Sequence, residues 1–139
     1  MIILDTNVVS EPLKPRPDPA VLTWLNVQSP LSLFITSISL AELLAGIENL
    51  PDGQKRRALQ QSLGAQLLAL FADRVLSFDS RAASAFASVH AQTRRAGHPI
   101  SFADCSIAAI AQTHGFALAT RNLRDFQDTG IELINPWQR

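Results

Sequence analysis

Four separated stretches of this 139-residue chain carry oxygen-bearing side chains where chemistry can gather. Asp5 directly follows the apolar run Met1–Leu4. Thr36 and Ser37 come at the end of a second apolar run, and Glu42 follows one helical turn later. Asp104 heads an apolar helical pattern, and Thr120, Asn122 and Asp125 follow the run Phe116–Ala119. Carboxylates crowded together repel, and their pKa values rise unless a cation compensates. No Lys or Arg stands next to Asp5 or Glu42 in sequence. A hard divalent cation resolves that conflict. Mg²⁺ takes oxygen ligands in octahedral geometry and keeps several waters. Two such ions about 3.5–4 Å apart can activate a water and stabilise the leaving oxygen of a phosphodiester. This chemistry needs neither His nor Cys. His90, His98 and His114 lack metal-ligand spacing and read as structural or surface residues. Cys105, alone in the chain, excludes a disulfide framework and a multi-cysteine zinc site, and reads as a small buried residue.

The elements that must position these groups alternate. Met1–Leu4 is a bounded apolar run of the kind that forms a buried parallel strand. Thr6–Ser10 reads as one helical turn, followed by a proline-rich stretch from Pro12 to Pro19. Asp18-Pro19 supplies an N-cap and a first-turn proline for a helix to about Val27. Leu31–Thr36 reads as a second strand. Leu40, Leu43, Leu44 and Ile47 then recur at helical spacing, predicting a helix over about 38–50 that Pro51-Asp52-Gly53 breaks. A longer helix, about 54–71, carries Leu59, Leu63, Leu67 and Leu70 on one stripe. Val75–Phe78 reads as a third strand, and Asp79 caps a helix ending near Gly97. Ser101 starts another helix, which Gly115 closes as a C-cap. Phe116–Ala119 and Ile131–Ile134 are the last strands. Such alternation predicts one α/β domain over 1–139 with a mainly parallel sheet flanked by helices. Ligands of open parallel sheets bind beyond the carboxyl ends of the strands, where the acids above fall.

Each acid also has a plainer reading. Asp5 also fits as a strand end or as the cap of the turn at Asn7. Ser39-x-x-Glu42 and Ser101-x-x-Asp104 are both capping-box patterns, in which the carboxylate bonds backbone N–H groups. Asp104, however, shares a helix face with Ile107, Ala108 and Ala111, and a carboxylate heading a buried face is costly unless paired or metal-bound. Asn122 and Asp125 are also ordinary turn residues. Arg121 and Arg124 beside them are either solvated or in reach of a phosphate. Lys55-Arg56-Arg57 reads as an exposed helix face.

Composition narrows the classes. Twelve basic residues balance twelve acidic ones, so nucleic acid is not attracted globally and must be met by local patches or metal ions. The 47% hydrophobic and 17% charged fractions exclude a disordered chain, and they imply that another subunit covers some apolar surface. Asp5 interrupts the first apolar run with no basic segment before it, no run reaches eighteen apolar residues, and the expected location is cytoplasmic, with no membrane contact. No P-loop and no dinucleotide fingerprint occur.

Taken together, the motifs resemble a known family. Ile3-Leu4-Asp5-Thr6-Asn7 resembles the opening of a PIN domain, and Thr36-Ser37-x-x-x-Ala41-Glu42-Leu43 its second acidic motif. Asp104-x-x-Ile107-Ala108-Ala109-x-Ala111 resembles the third, and Ala119–Phe126, reading ATRNLRDF, the fourth. Order and spacing agree along nearly the whole chain. Ser10-Glu11-Pro12-Leu13 and Asn135-Pro136-Trp137 are similar to the FitB-like branch of the VapC-type toxins. The resemblance implies a PIN-like three-layer sandwich and a Mg²⁺-dependent endoribonuclease, with Mn²⁺ as a substitute, serving as the toxin of a type II toxin–antitoxin pair. It implies Asp5, Glu42 and Asp104 as the metal-holding acidic core. Asn122 and Asp125 complete the catalytic set, and Asn7, Thr120 and Arg121 orient ligands or substrate. At the fourth motif some relatives carry Asp where this chain has Asn122, while others rely on the later acid, here Asp125. Implied partners are RNA and a small DNA-binding antitoxin of VapB or FitA type, with DNA met only through that antitoxin, and a second copy of the chain in a homodimer. The products expected carry 5′-phosphate and 3′-hydroxyl ends.

Three other readings compete with this one. A catalytically silent PIN scaffold that binds RNA or protein conflicts with the intact Asp5, Glu42 and Asp104. A phosphoacceptor receiver domain would need an early acidic pair and a Lys after a late strand, and neither is here. A structure-specific DNA nuclease usually carries more acids and large insertions, for which 139 residues leave little room.

Overall fold

The computed structural model describes residues 1–138; Arg139, the last residue of the expected domain, lies outside them. Ile2–Leu4 (β1) is the central strand of a five-stranded sheet. On one side lie Leu33–Thr36 (β2) and then Val75–Leu76 (β3). On the other lie Ala117–Ala119 (β4) and then Leu133–Ile134 (β5), giving the order β3-β2-β1-β4-β5. Every neighbouring pair is parallel, so the sheet is parallel throughout rather than mainly. Register sets Ile3 beside Phe34 on one strand and Leu118 on the other.

Among the described residues seven α-helices connect and cover the strands: Thr6–Ser10 (α1), Pro19–Val27 (α2), Ser37–Glu48 (α3), Gln54–Phe71 (α4), Ser80–Arg95 (α5), Phe102–His114 (α6) and Leu123–Phe126 (α7). Side chains alternate across a strand. Ile3 and Leu118 therefore enter one core, with Val89 of α5 and Ile107 and Ile110 of α6. Leu4 and Ala119 enter the other, with Val8 of α1, Leu43 of α3 and Leu67 of α4. The result is the expected three layers, helices on both faces of a parallel sheet. The α6 helix is buried at seven successive residues, 105–111, so it is enclosed rather than amphipathic. Cys105 is among them, the small buried residue expected.

Several boundaries moved for identifiable reasons. Thr36 is the N-cap of α3, its hydroxyl accepting from Ser39 N at 3.0 Å, so the helix starts at Ser37, one residue earlier than periodicity predicts. Pro30–Ser32 is a 3₁₀ turn, not the beginning of β2. Another, Glu11–Leu13, occupies the start of the proline-rich stretch. The short α7 lies where only turn residues were expected. Leu70 is 57% exposed, and Phe71 takes its place in the core stripe of α4; Leu44 of α3 is likewise exposed. Gly115 closes α6 in the left-handed region at φ 69°, as its position predicts.

Candidate active site

Asp5 sits where β1 ends and α1 begins. Its backbone N–H donates to Ala119 O at 2.9 Å, which extends the β1–β4 ladder by one residue. Its carboxylate, in a residue only 5% exposed, accepts two hydrogen bonds. The Thr6 N–H donates to Oδ1 and the Thr120 hydroxyl donates to Oδ2, each at 2.8 Å. The strand-end and cap readings are thus both true of Asp5. Yet one short helix does not account for a buried carboxylate bonded from β4 as well. Burial raises the Asp5 pKa above the usual carboxylate value; the two hydrogen bonds oppose the rise, and the negative charge of Asp125 adds to it.

Glu42 reaches the same place from α3. Its Oε1 accepts from the Thr6 hydroxyl at 3.0 Å. The capping-box reading of Ser39-x-x-Glu42 fails, because the cap is Thr36 and Ser39 is the residue whose N–H it satisfies. Thr6 joins the two acids, its N–H on Asp5 and its hydroxyl on Glu42. Sequence reasoning gave Thr6 no role of its own; a hydroxyl residue immediately after the strand-end aspartate was the available signal.

Asp104 lies in the first turn of α6, and its N–H donates to the Ser101 hydroxyl at 3.1 Å. That is one half of a capping box, and it engages the backbone rather than the carboxylate. The carboxyl pKa is pushed up to about 6, first by burial and then by the charges of Asp5 and Asp125, with a smaller push from Glu42. Four acids from four segments thus sense one another electrostatically. Among the described residues the ion pairs are Lys14–Glu11, Arg56–Asp52 and Arg81–Asp79, so no basic side chain neutralises this group.

The β4–α7 loop ties the cluster together. Thr120, fully buried, donates to Asp5 and accepts from the Asn122 N–H at 3.0 Å. Asn7 Oδ1 accepts from the Arg121 N–H at 3.3 Å, so Asn7 positions the loop. Asn122 and Asp125 are exposed, and the Asn122 side chain is not used as a helix cap. Arg121 turns aside: its guanidinium lies 5.2 Å from the centroid of the Trp137 ring, and its charge helps hold down the pKa of the buried Glu11. Beside Asp104 and Asp125 opens a cleft of about 370 Å³, which Arg124 and His98 also line.

Oxygen donors with no cationic partner fit a hard divalent ion. Among the described residues no three acidic, His or Cys side chains close around a single point.

The model of the family described as "PIN domain" matches residues 2–132. The chain belongs to the PIN-domain family. Among proteins similar to this PIN chain is the VapC ribonuclease Y4jK of Sinorhizobium fredii, 43% identical over 99% of both chains. Toxin FitB of Neisseria gonorrhoeae is 38% identical, also over 99% of both. The crystal structure of FitAcB from N. gonorrhoeae superposes with a TM-score of 0.96 at 37% identity, covering 100% of each chain. The FitB-like resemblance read from the two ends of the sequence agrees with these matches.

Proposed function

We propose that this PIN-domain chain is a Mg²⁺-dependent endoribonuclease and the toxin of a VapBC-like toxin–antitoxin pair. The observation that carries the nuclease reading is the convergence of Asp5, Glu42, Asp104 and Asp125 without a basic partner. A ribonuclease and a toxin among the similar proteins support the class of substrate and the biological role. Asp5 and Asp104 would hold the ion, with Glu42 and the oxygens of Asn122 and Asp125 around it; Mn²⁺ has the same ligand preference. When bound, Mg²⁺ acidifies water and stabilises charge on a leaving phosphodiester oxygen.

The protein's own contribution is positioning. Thr6 and Thr120 fix the Asp5 carboxylate and favour its charged form against burial. Glu42, exposed and tethered by Thr6, is placed to orient the attacking water and take its proton. Asn122 and Asp125, on the exposed rim, orient water from the other side. In-line displacement leaves 5′-phosphate and 3′-hydroxyl ends. Exposed Leu68, Leu70 and Phe102 support apolar contacts with a second copy or with an antitoxin, and DNA would be met only through the antitoxin. No helix among the described residues is long and apolar enough to cross a membrane.

The test is RNA cleavage by the purified chain with Mg²⁺ and with EDTA, beside the Asp5→Asn variant. Cleavage that needs Mg²⁺ and is lost in the variant is the expected result. A folded wild type that leaves RNA intact in Mg²⁺ refutes the enzyme and leaves the silent-scaffold reading. Growth arrest on expression, relieved by the neighbouring small gene, tests the toxin role.

A further inference from the structure

The cleft beside Asp104 and Asp125 holds more than the acids require. Arg124 lines it, and among the described residues no ion pair involves Arg124, although two carboxylates share its cleft. Arg121, the neighbouring cation, is committed to the Trp137 ring. Arg124 is therefore the guanidinium left available at this edge of the site. His98, to which the sequence assigns no chemistry, forms another part of the wall. The Gln127 amide nitrogen lies 3.3 Å from each of its ring nitrogens. Pro99 and Ile100 add apolar surface.

A volume of about 370 Å³ lies in the range of a small-ligand pocket and suffices for one nucleotide. A free guanidinium matches a phosphate bidentately. A ring beside apolar surface suits a base, because every base offers a π-face. Resting on the ribonuclease reading above, we propose that this cleft is a nucleotide subsite of the nuclease centre. Arg124 grips the phosphate adjoining the scissile one, and His98, with Pro99 and Ile100, receives the base attached to it.

Steady-state cleavage of a fluorogenic single-stranded 20-nucleotide RNA of random sequence, at several salt concentrations in Mg²⁺, tests this. Arg124→Gln is expected to raise KM about tenfold, the effect of one lost charged hydrogen-bond contact, with kcat little changed. The slope of log(kcat/KM) against log[salt] should become shallower by about 0.7, one single-strand phosphate contact. Arg124→Lys should keep that slope. His98→Ala should raise KM by about tenfold, as loss of one stacked base does, and redistribute the cleavage positions. His98→Phe should restore both. The rise in melting temperature on adding Mg²⁺ should be the same in all four variants, which shows the carboxylate centre intact. Wild-type KM, slope and cleavage pattern in Arg124→Gln and His98→Ala, with an active wild type, overturn the subsite alone. A loss confined to kcat also overturns it, since the cleft would then act on the chemistry. A wild type that cleaves no RNA overturns the nuclease reading on which the subsite rests.

Discussion

Replacing Asp104 by Asn keeps the shape of the side chain and removes one charge from a crowd of four. Asp104 titrates near 3.8 when unfolded and at about 6 in the folded protein. For an acid whose folded pKa is raised, folding favours the protonated form. The penalty is absent below about pH 4, grows between about pH 4 and 6, and is fully present above that. Roughly two pH units at ~1.36 kcal/mol each set an upper limit of about 3 kcal/mol. The side chain is partly exposed, and solvent screening reduces this to about 1.5 kcal/mol. Asn also forfeits the attraction of a carboxylate to the N-terminus of α6, about 0.5 kcal/mol. The net expectation is a gain of about 1 kcal/mol for Asp104→Asn in EDTA at pH 7.5, a rise in Tm of about 4 °C for a chain of this size. At pH 4 the gain should vanish. In Mg²⁺ at ~100 times its Kd the wild type should gain about 2.7 kcal/mol by mass action, and the variant little. Melting curves at both pH values, with EDTA or Mg²⁺, supply every term. If Asp104→Asn is destabilised to the same extent in all four conditions, Asp104 serves the helix and not the metal, and the reasoning is refuted.

Thr120→Val removes the hydroxyl that donates to Asp5 and accepts from Asn122, leaving a buried carboxylate oxygen unsatisfied. Chemical denaturation should show a loss of about 1–3 kcal/mol, and RNA cleavage should fall with it. Thr6→Ala should release Glu42 while sparing the backbone bond to Asp5; cleavage should drop with a change in stability below about 1 kcal/mol, read by the same two assays. Ile107→Ala, in the enclosed helix α6, should cost about 2–5 kcal/mol in urea melts. EDTA should abolish cleavage by the wild type, and Mn²⁺ or Mg²⁺ should restore it.

The layers and the parallel sheet follow from features plain in the chain; the strand order around β1 does not. Bounded apolar runs alternate with helical spacing, and a parallel sheet covered on both faces is the arrangement that buries them all. The elements that escaped are those made by capping and by short-range turns. Nothing in the periodicity of Leu40, Leu43 and Ile47 says that Thr36 is the cap; that is decided by one hydroxyl at 3.0 Å. The α4 stripe drifted for a similar reason. Leu59, Leu63, Leu67 and Leu70 fit a helical repeat, but the surface that α4 meets is covered by Phe71 rather than Leu70. At the site, the residue types announced the acids and their sheet edge. They did not announce Thr6 as the link between Asp5 and Glu42, nor the turn of Arg121 toward Trp137, because both depend on contacts between residues far apart in sequence.

A cluster of acids with no cation opposes folding, and the architecture around it shows how that cost is carried. Asp5 caps α1, and Asp104 and Asp125 lie in the first turns of α6 and α7, near unpaired helix N–H groups; Glu42 stands in the second turn of α3. Asp5, the most buried, has both oxygens bonded; Glu42, exposed, has one oxygen on the Thr6 hydroxyl, and Asp125 is exposed. Asp104 lies between these extremes, and its pKa is pushed up to about 6. It also heads α6, whose residues 105–111 lie buried between the sheet and α5. The charge thus stands at the head of a helix whose next seven residues are buried. A cation bound there, as proposed, would relieve the repulsion among these carboxylates, and that relief would add to its affinity.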